Sequence, residues 1–345
     1  MVLGAIVVVG AESPANGRTA SARADWTRAD ALFPDPLTCA EVLGRTVVEH
    51  IVERFVSATV EVVTVLVHSG VCEFLSPFRR SYDRVTVEAA DDLEAAIAAT
   101  LKKYAADGVD YGFVIDGNTY TECDFIDLLW FHRGSHRAIT RTFDRGGPLH
   151  LSITTCAKVQ TSDAQKFMAP VVETGSDCYF ISDCVHRLTR PQDMRSLVQD
   201  ALLGRCEIRP LGKEIRPGVW LDDGAQLHKR ARIVAPAYIG RGSIVREDTV
   251  ITRCSNIESL CYIDYGTVIE DSSVLTNSYV GIWLDVTHAL VQGSNLWNLP
   301  RNVGVEIADP SVVRPNVPAK DVSREIRDIK KEVPVDHLFA AAHGQ

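Results

Sequence analysis

Ten aliphatic residues recur at every sixth position in the second half of this chain. They are Leu221, Leu227, Ile233, Ile239, Val245, Ile251, Ile257, Ile263, Ile269 and Leu275. If about a quarter of positions were aliphatic at random, such a run would arise on the order of once in a million trials. A second register of small residues lies two positions before the aliphatic one: Ala225, Ala231, Ala237, Ser243, Thr249, Ser255, Cys261, Thr267 and Ser273. A period of six suits neither an amphipathic helix nor a hairpin meander. It suits a triangular prism in which each hexapeptide makes one short strand and one corner. The aliphatic residue points inward and the small one sits where the wall turns. Three hexapeptides close a coil, and the next coil stacks on it at about 4.8 Å. The pattern therefore predicts a left-handed parallel β-helix of a little over three coils between Leu221 and Val280.

The period slips after Val280, because Gly281 falls in an aliphatic slot and is followed by Trp283, Asp285 and His288. The stretch Gly281–Pro300 is expected to form an irregular last coil or cap, since the end of a solenoid exposes unpaired strand edges. Further on, Val322, Ile326 and Ile329 are spaced for a short helix across Val322–Glu332. The expected layout is residues 1–210 as an α/β domain, 217–300 as the prism and 301–345 as an extension.

The first 210 residues alternate between strand and helix patterns. Ala5–Val9 is a continuous apolar run of the kind found in a buried parallel strand. Ala40–Phe55 carries Leu43, Val47, Ile51 and Phe55 four residues apart, which predicts a helix. Val60–Val67 is a second strand. Leu93–Ala106 is a helix entered through Asp91 and Asp92 and closed at Gly108. Tyr111–Ile115, Leu149–Thr154 and Cys178–Ile181 are further strands, and another helix starts at Phe125–His132. Such alternation predicts a Rossmann-like three-layer sandwich with a mostly parallel sheet. Ligands then bind at the carboxyl ends of the strands, here the loops after Val9 and Ile115.

Composition narrows the function classes. The 345 residues are 46% hydrophobic and 23% charged, as in soluble globular proteins, with a net charge of -9. No basic cluster offers a footprint for nucleic-acid phosphates. The nine cysteines include no C-x-x-C pair, so they are expected to be reduced fillers of core and wall, not zinc ligands. No stretch has the length of a membrane span, and Ala5–Val9 is too short for a signal-peptide core. A cytoplasmic location is expected.

Three segments carry a family resemblance. Pro34-Asp-Pro-Leu37 precedes Val42-Leu-Gly-Arg-Thr-Val-Val-Glu-His50; Phe113-Val-Ile-Asp-Gly-Asn118 precedes Asp124-Phe; and Val171-Val-Glu173 precedes Asp177-Cys-Tyr-Phe-Ile181. In these segments, and in having an α/β domain followed by a hexapeptide prism, the chain resembles the sugar-nucleotide pyrophosphorylases, which are sugar-1-phosphate nucleotidyltransferases. The resemblance implies transfer of a nucleotidyl group from a triphosphate to a sugar 1-phosphate, with Mg²⁺ as cofactor. It implies phosphate contacts at Gly10, Gly17, Arg18 and Asp35. It also implies sugar or metal contacts at Asp116, Asn118 and Glu173.

The departures from that family concern charge. The family's phosphate loop, Gly-x-Gly-Thr-Arg, corresponds here to Gly10-Ala-Glu-Ser-Pro-Ala-Asn-Gly-Arg-Thr19, in which Pro14 lacks an amide donor. Asp35 stands where the family has a lysine, Asn118 where it has a metal-binding aspartate, and Thr174 where it has a lysine. Four changes at sites for polyanions suggest a relative that binds sugar nucleotide or sugar phosphate without the usual transfer. The alternative is a hexapeptide-repeat acyltransferase that uses acyl-CoA at a trimer interface, with His228 or His288 as general base. The basic set Lys229, Arg230, Arg232 and Arg241 is read as a solvated face. Broad prism walls predict a homo-oligomer, specifically a homotrimer.

Overall fold

The computed structural model describes residues 1–10, 37–159, 167 and 178–316. The chain is a mixed α/β structure with parallel sheets, and its C-terminal part is built of many short parallel strands. In the N-terminal half, β1 (Leu3–Val9) is buried along its whole length. A tight hairpin follows, formed by β2 (Glu41–Val42) and β3 (Arg45–Thr46), and leads into α1 (Val47–Ser57). The chain continues through β4 (Val62–His68), β5 (Val85–Ala90), α2 (Leu93–Ala106), β6 (Tyr111–Asp116) and β7 (Thr119–Thr121). Next come α3 (Phe125–Ser135), β8 (Ile139–Asp144), β9 (Gly147–Thr155), β10 (Tyr179–Phe180), β11 (Val185–Arg187) and α4 (Pro191–Leu202).

The seven-stranded sheet runs β10-β8-β9-β6-β1-β4-β5. Strands β5, β4, β1 and β6 are parallel, whereas β9 is antiparallel to both β6 and β8. Strand β10 pairs parallel with β8, so within this sheet β9 alone runs against the other six strands. Sequence periodicity identified α2 at its observed bounds, and Asp92 caps it by accepting from Ala95 N.

The helix expected over Ala40–Phe55 instead starts at Val47. Leu43 (φ 53°) and Gly44 (φ 95°) lie in the left-handed region and close the β2–β3 hairpin in two residues. Thr46 then caps α1 by accepting from Glu49 N. The four-residue spacing of Leu43 to Phe55 crossed a turn because Leu43 is buried there, as a helix face would be.

From Val219 onward, strands pair in parallel with the strands one coil later. Leu221 lies beside Ile239, Leu227 beside Val245 and Ile233 beside Ile251, each eighteen residues apart. Three sheets share these strands in rotation, as a three-sided coil requires. The interior holds Ile233, Ile239, Val245, Ile251, Ile257, Ile263 and Ile269. At the next step the coil shortens by one residue. Ile257 pairs with Val274 and Ile263 with Val280, so Val274 fills the interior and Leu275 turns outward. Leu275 packs instead into the hydrophobic cluster of the N-terminal half. The expectation that Leu275 continues the inner column is thus corrected.

The small register shifts with it. Ser272, not Ser273, continues the inner hydroxyl column: Ser272 N donates to Ser255 Oγ (3.2 Å) and Ala289 N donates to Ser272 Oγ (3.0 Å). Ser243 and Thr267 serve in the same way, bonding backbone groups of the adjacent coil at corners where buried polar groups need partners.

The coil stays regular past Val280. Asp285–Thr287 and Ala289–Gln292 are parallel strands, so the irregular stretch begins later than its glycine suggested. Gly281 fits because its N–H donates to Val312 O (2.8 Å) and a Cβ there would strike Ser311 O. Antiparallel strands Asn295–Asn298 and Val303–Glu306 extend one wall, and Val313–Pro315 pairs antiparallel with Ser278–Val280. At the other end Lys213–Arg216 pairs antiparallel with the first coil. The helix expected over Val322–Glu332 lies outside the described residues.

One prism wall faces the N-terminal half. Its outer face carries Tyr238, Leu290 and Trp297, which belong to the same buried cluster as Phe55, Phe113 and Phe125. Arg195 of α4 reaches across and is 4% exposed. It donates to Asp271 Oδ1 (2.8 Å), Ser273 Oγ (3.3 Å) and the carbonyls of Cys254 (2.9 Å) and Arg253 (3.3 Å). Among the described residues no helix is long and apolar enough to cross a membrane.

Candidate functional site

Strands β1 and β6 lie side by side with Val8 opposite Asp116, so their carboxyl ends and following loops meet at one place. Asp116 is 1% exposed. Its Oδ1 accepts from Asn118 N (2.9 Å), while its Oδ2 has no hydrogen-bond partner among the described residues. Burial pushes the Asp116 carboxyl up to about 6, and the Asn118 N–H opposes that rise. Gly117 N donates to Val8 O (2.7 Å), and a Cβ at Gly117 would stand 3.2 Å from Thr38 Cγ2. Thr38 is also buried, and its Oγ1 likewise has no partner among the described residues. Two buried polar atoms that lack partners among the described residues therefore flank Gly117, at the strand ends where open α/β sheets bind ligands.

Gly10 directly follows β1 with φ 85°, and a Cβ there would lie 2.9 Å from Val71 Cγ2. The structure thus brings Gly10, Asp116 and Asn118 to the ends of the same two neighbouring strands. Gly17, Arg18, Asp35 and Glu173 lie outside the described residues. Thr38 escaped sequence reading because a lone threonine beyond Pro36-Leu37 carries no pattern.

The prism histidines stand apart from this place. His228 is on an exposed corner, with its Nε2 3.9 Å from Glu247 and its Nδ1 accepting from Arg230 N. In the basic set, Arg230 pairs with Glu247 and Asp248 of the next coil. His288 bonds Asp271 through Nδ1 (2.7 Å) and is 47% exposed. Asp271 also accepts from Arg195 and from Gln199 Nε2 (2.6 Å), so His288 is the outer member of the dock that holds α4 to the prism.

Among the described residues no group of three or more His, Cys, Asp or Glu is gathered as for a metal ion. Mg²⁺ is commonly held by one or two carboxylates together with substrate phosphates, and Asp116 Oδ2 is an available carboxylate oxygen for such an ion. Five cysteines are buried and three partly so, as expected of fillers, whereas Cys72 is exposed. No family model and no curated protein matches this chain.

Proposed function

We propose that this chain is a nucleotide-sugar metabolism protein of the sugar-1-phosphate nucleotidyltransferase type, with a Rossmann-like N-terminal domain and a left-handed β-helix. It binds a sugar nucleotide or sugar phosphate at the carboxyl ends of β1 and β6. The observation that carries this reading is Asp116, a buried carboxylate at a strand end with one oxygen lacking a partner among the described residues. An unpaired buried oxygen costs about 1–3 kcal/mol, and a ligand donor or cation would relieve that cost.

In this reading Asp116 Oδ2 and the Asn118 amide face the bound ligand, and the Asn118 backbone N–H keeps the other Asp116 oxygen in place. Thr38 Oγ1 supplies a hydroxyl that can donate or accept. Mg²⁺, when bound, would offset phosphate charge next to Asp116 and favour its ionised form. Asp35 and Thr174 reduce positive charge where a triphosphate and a sugar phosphate would meet, and Asn118 is a poorer Mg²⁺ ligand than a carboxylate, which argues for binding with little or no transfer.

The test is a panel of sugar nucleotides, sugar 1-phosphates and triphosphates with Mg²⁺, read by thermal shift and by pyrophosphate release. Stabilisation without pyrophosphate is the expected result. Stabilisation with pyrophosphate would make the chain an active transferase. If no ligand in the panel shifts the melting temperature, the reading fails.

A second reading, acyl transfer at the prism within a homotrimer, draws support from His288. Its Nδ1 rests on Asp271, which leaves Nε2 to act as a base. Acyl-CoA hydrolysis or transfer that survives His288→Ala and His228→Ala would remove it.

A further inference from the structure

The β2–β3 hairpin meets the prism at a buried acid. Glu258 has no exposed surface, and it accepts from Leu43 N (2.9 Å) and Asn256 Nδ2 (2.6 Å) through Oε1 and from Gly44 N (3.0 Å) through Oε2. The hairpin turn reaches it because Leu43 and Gly44 both adopt left-handed backbone, which points two consecutive N–H groups the same way. A Cβ at Gly44 would collide with the Tyr238 hydroxyl, so the approach also needs glycine. A second acid, Glu41 of the hairpin, is 8% exposed and accepts from Ser259 N (3.2 Å), one residue along from Glu258.

Two carboxylates thus share a dry joint with little cationic help. Arg79 touches the hairpin, but it is committed to Asp222 Oδ2 (3.0 Å) and Gly44 O. Tyr238 donates to that same Asp222 oxygen (3.3 Å). Arg195 approaches only through Asn256 Oδ1 (3.5 Å), and Cys261 is a thiol whose ionisation is opposed by burial first and by the same two acids after it. Behind the hairpin, His50 Nε2 lies 2.9 Å from Val42 O, and Arg45 of the hairpin is paired with Glu49 and Glu53. Glu41, Glu258, Asp222, Tyr238, Arg79, Arg195 and Cys261, with His50 and Arg45, are the titratable and charged groups around the joint.

We propose that this contact is a protonation-gated latch: a proton held on Glu258 keeps the hairpin seated on the prism, and its loss to solvent loosens the seat. Two adjacent buried negative charges repel in a medium of low dielectric constant, and the three amide donors offset only part of that. Burial and the neighbouring Glu41 push the Glu258 carboxyl from 4.5 up to about 8. The folded joint therefore binds the proton more tightly than the open chain does. Its stabilisation is fully present below about pH 4.5 and is lost as pH rises toward 8. The same chain segment carries Thr38 to the strand ends, so loosening the hairpin frees the backbone next to Gly117.

Hydrogen exchange of the full-length protein, followed in peptides that cover residues 41–46, tests this directly. After correction for intrinsic exchange, protection of the Leu43 and Gly44 amides should fall about tenfold or more between pH 6 and pH 8. Peptides from β1 should not follow that fall. Glu258→Gln cannot ionise and should abolish the pH dependence. Glu41→Gln removes the neighbouring charge, keeps Glu258 in place and should shrink the fall. Flat protection in the native protein, or an undiminished fall in both variants, overturns the latch.

Discussion

Arg195→Ala is the perturbation that most directly tests how the two halves are joined. Removing Arg195 leaves behind the Asp271 carboxylate and four other acceptors on the prism, namely Ser273 Oγ, Asn256 Oδ1 and the carbonyls of Arg253 and Cys254, and Arg195 is 4% exposed. Removing one partner of a buried ion pair costs about 3–5 kcal/mol, because the other charge stays behind without compensation. Asp271 is 23% exposed and keeps Gln199 and His288, so its orphaned charge is partly solvated. A loss near the lower end, about 3 kcal/mol, is therefore expected. The loss falls on the joint and not on either core. Denaturant unfolding followed by both tryptophan fluorescence and far-ultraviolet circular dichroism should separate into two steps in the variant, with the midpoints further apart than in the native chain. Asp271→Asn keeps an acceptor for Arg195 and should cost less. A destabilisation below about 1 kcal/mol, the size of an exposed pair, would refute the view that Arg195 fastens the prism.

Three further outcomes follow from the same geometry. Ile257→Ala removes a fully buried interior side chain and should cost about 2–5 kcal/mol in a prism melt, while Leu275→Ala should instead weaken the joint, because Leu275 packs against the other half. His50 and His132 are buried and held near 4 by desolvation, below the ordinary 6.5 of the unfolded chain. Their stabilisation is fully present above about pH 6.5 and drains as pH falls toward 4, by up to about 1.4 kcal/mol per pH unit for each; His50→Gln and His132→Gln should flatten that acid limb in equilibrium melts. Asp116→Asn should leave the melting temperature of the free protein unchanged or raised while abolishing its shift with nucleotide sugars, and a retained shift would remove Asp116 from the site.

Much of the prism was legible because a narrow interior takes one aliphatic residue from each wall and a small one at each corner, and that demand repeats with every wall. The period misled only where the coil dropped a residue. Counting from Ile269 placed Leu275 inside, while the backbone chose Val274, an equally apolar neighbour. Adjacent Ser272 and Ser273 hid the same slip in the small register. The strands of the N-terminal half were legible where they were wholly buried, as Leu3–Val9 is. The β2–β3 hairpin was not, since nothing in Leu43 itself announces a left-handed turn. The site was legible only in part. Asp116-Gly-Asn118 stood out as a strand followed by turn residues, but the isolation of Asp116 Oδ2 depends on surroundings drawn from distant segments. Arg195 and Glu258 gave no signal, because each is an ordinary charged residue until two separate folding units close around it.

The antiparallel strands at both ends of the prism have a consequence for how copies of this chain can meet. A stack of parallel coils is a template for more of the same, and an open end would recruit the next molecule along the axis. Lys213–Arg216 reverses direction at the start, and Asn295–Asn298, Val303–Glu306 and Val313–Pro315 reverse it at the finish. Axial fibre growth is thereby discouraged at each terminus. Among the described residues one wall is taken up by the N-terminal half, so a contact between prisms would run through the other two walls.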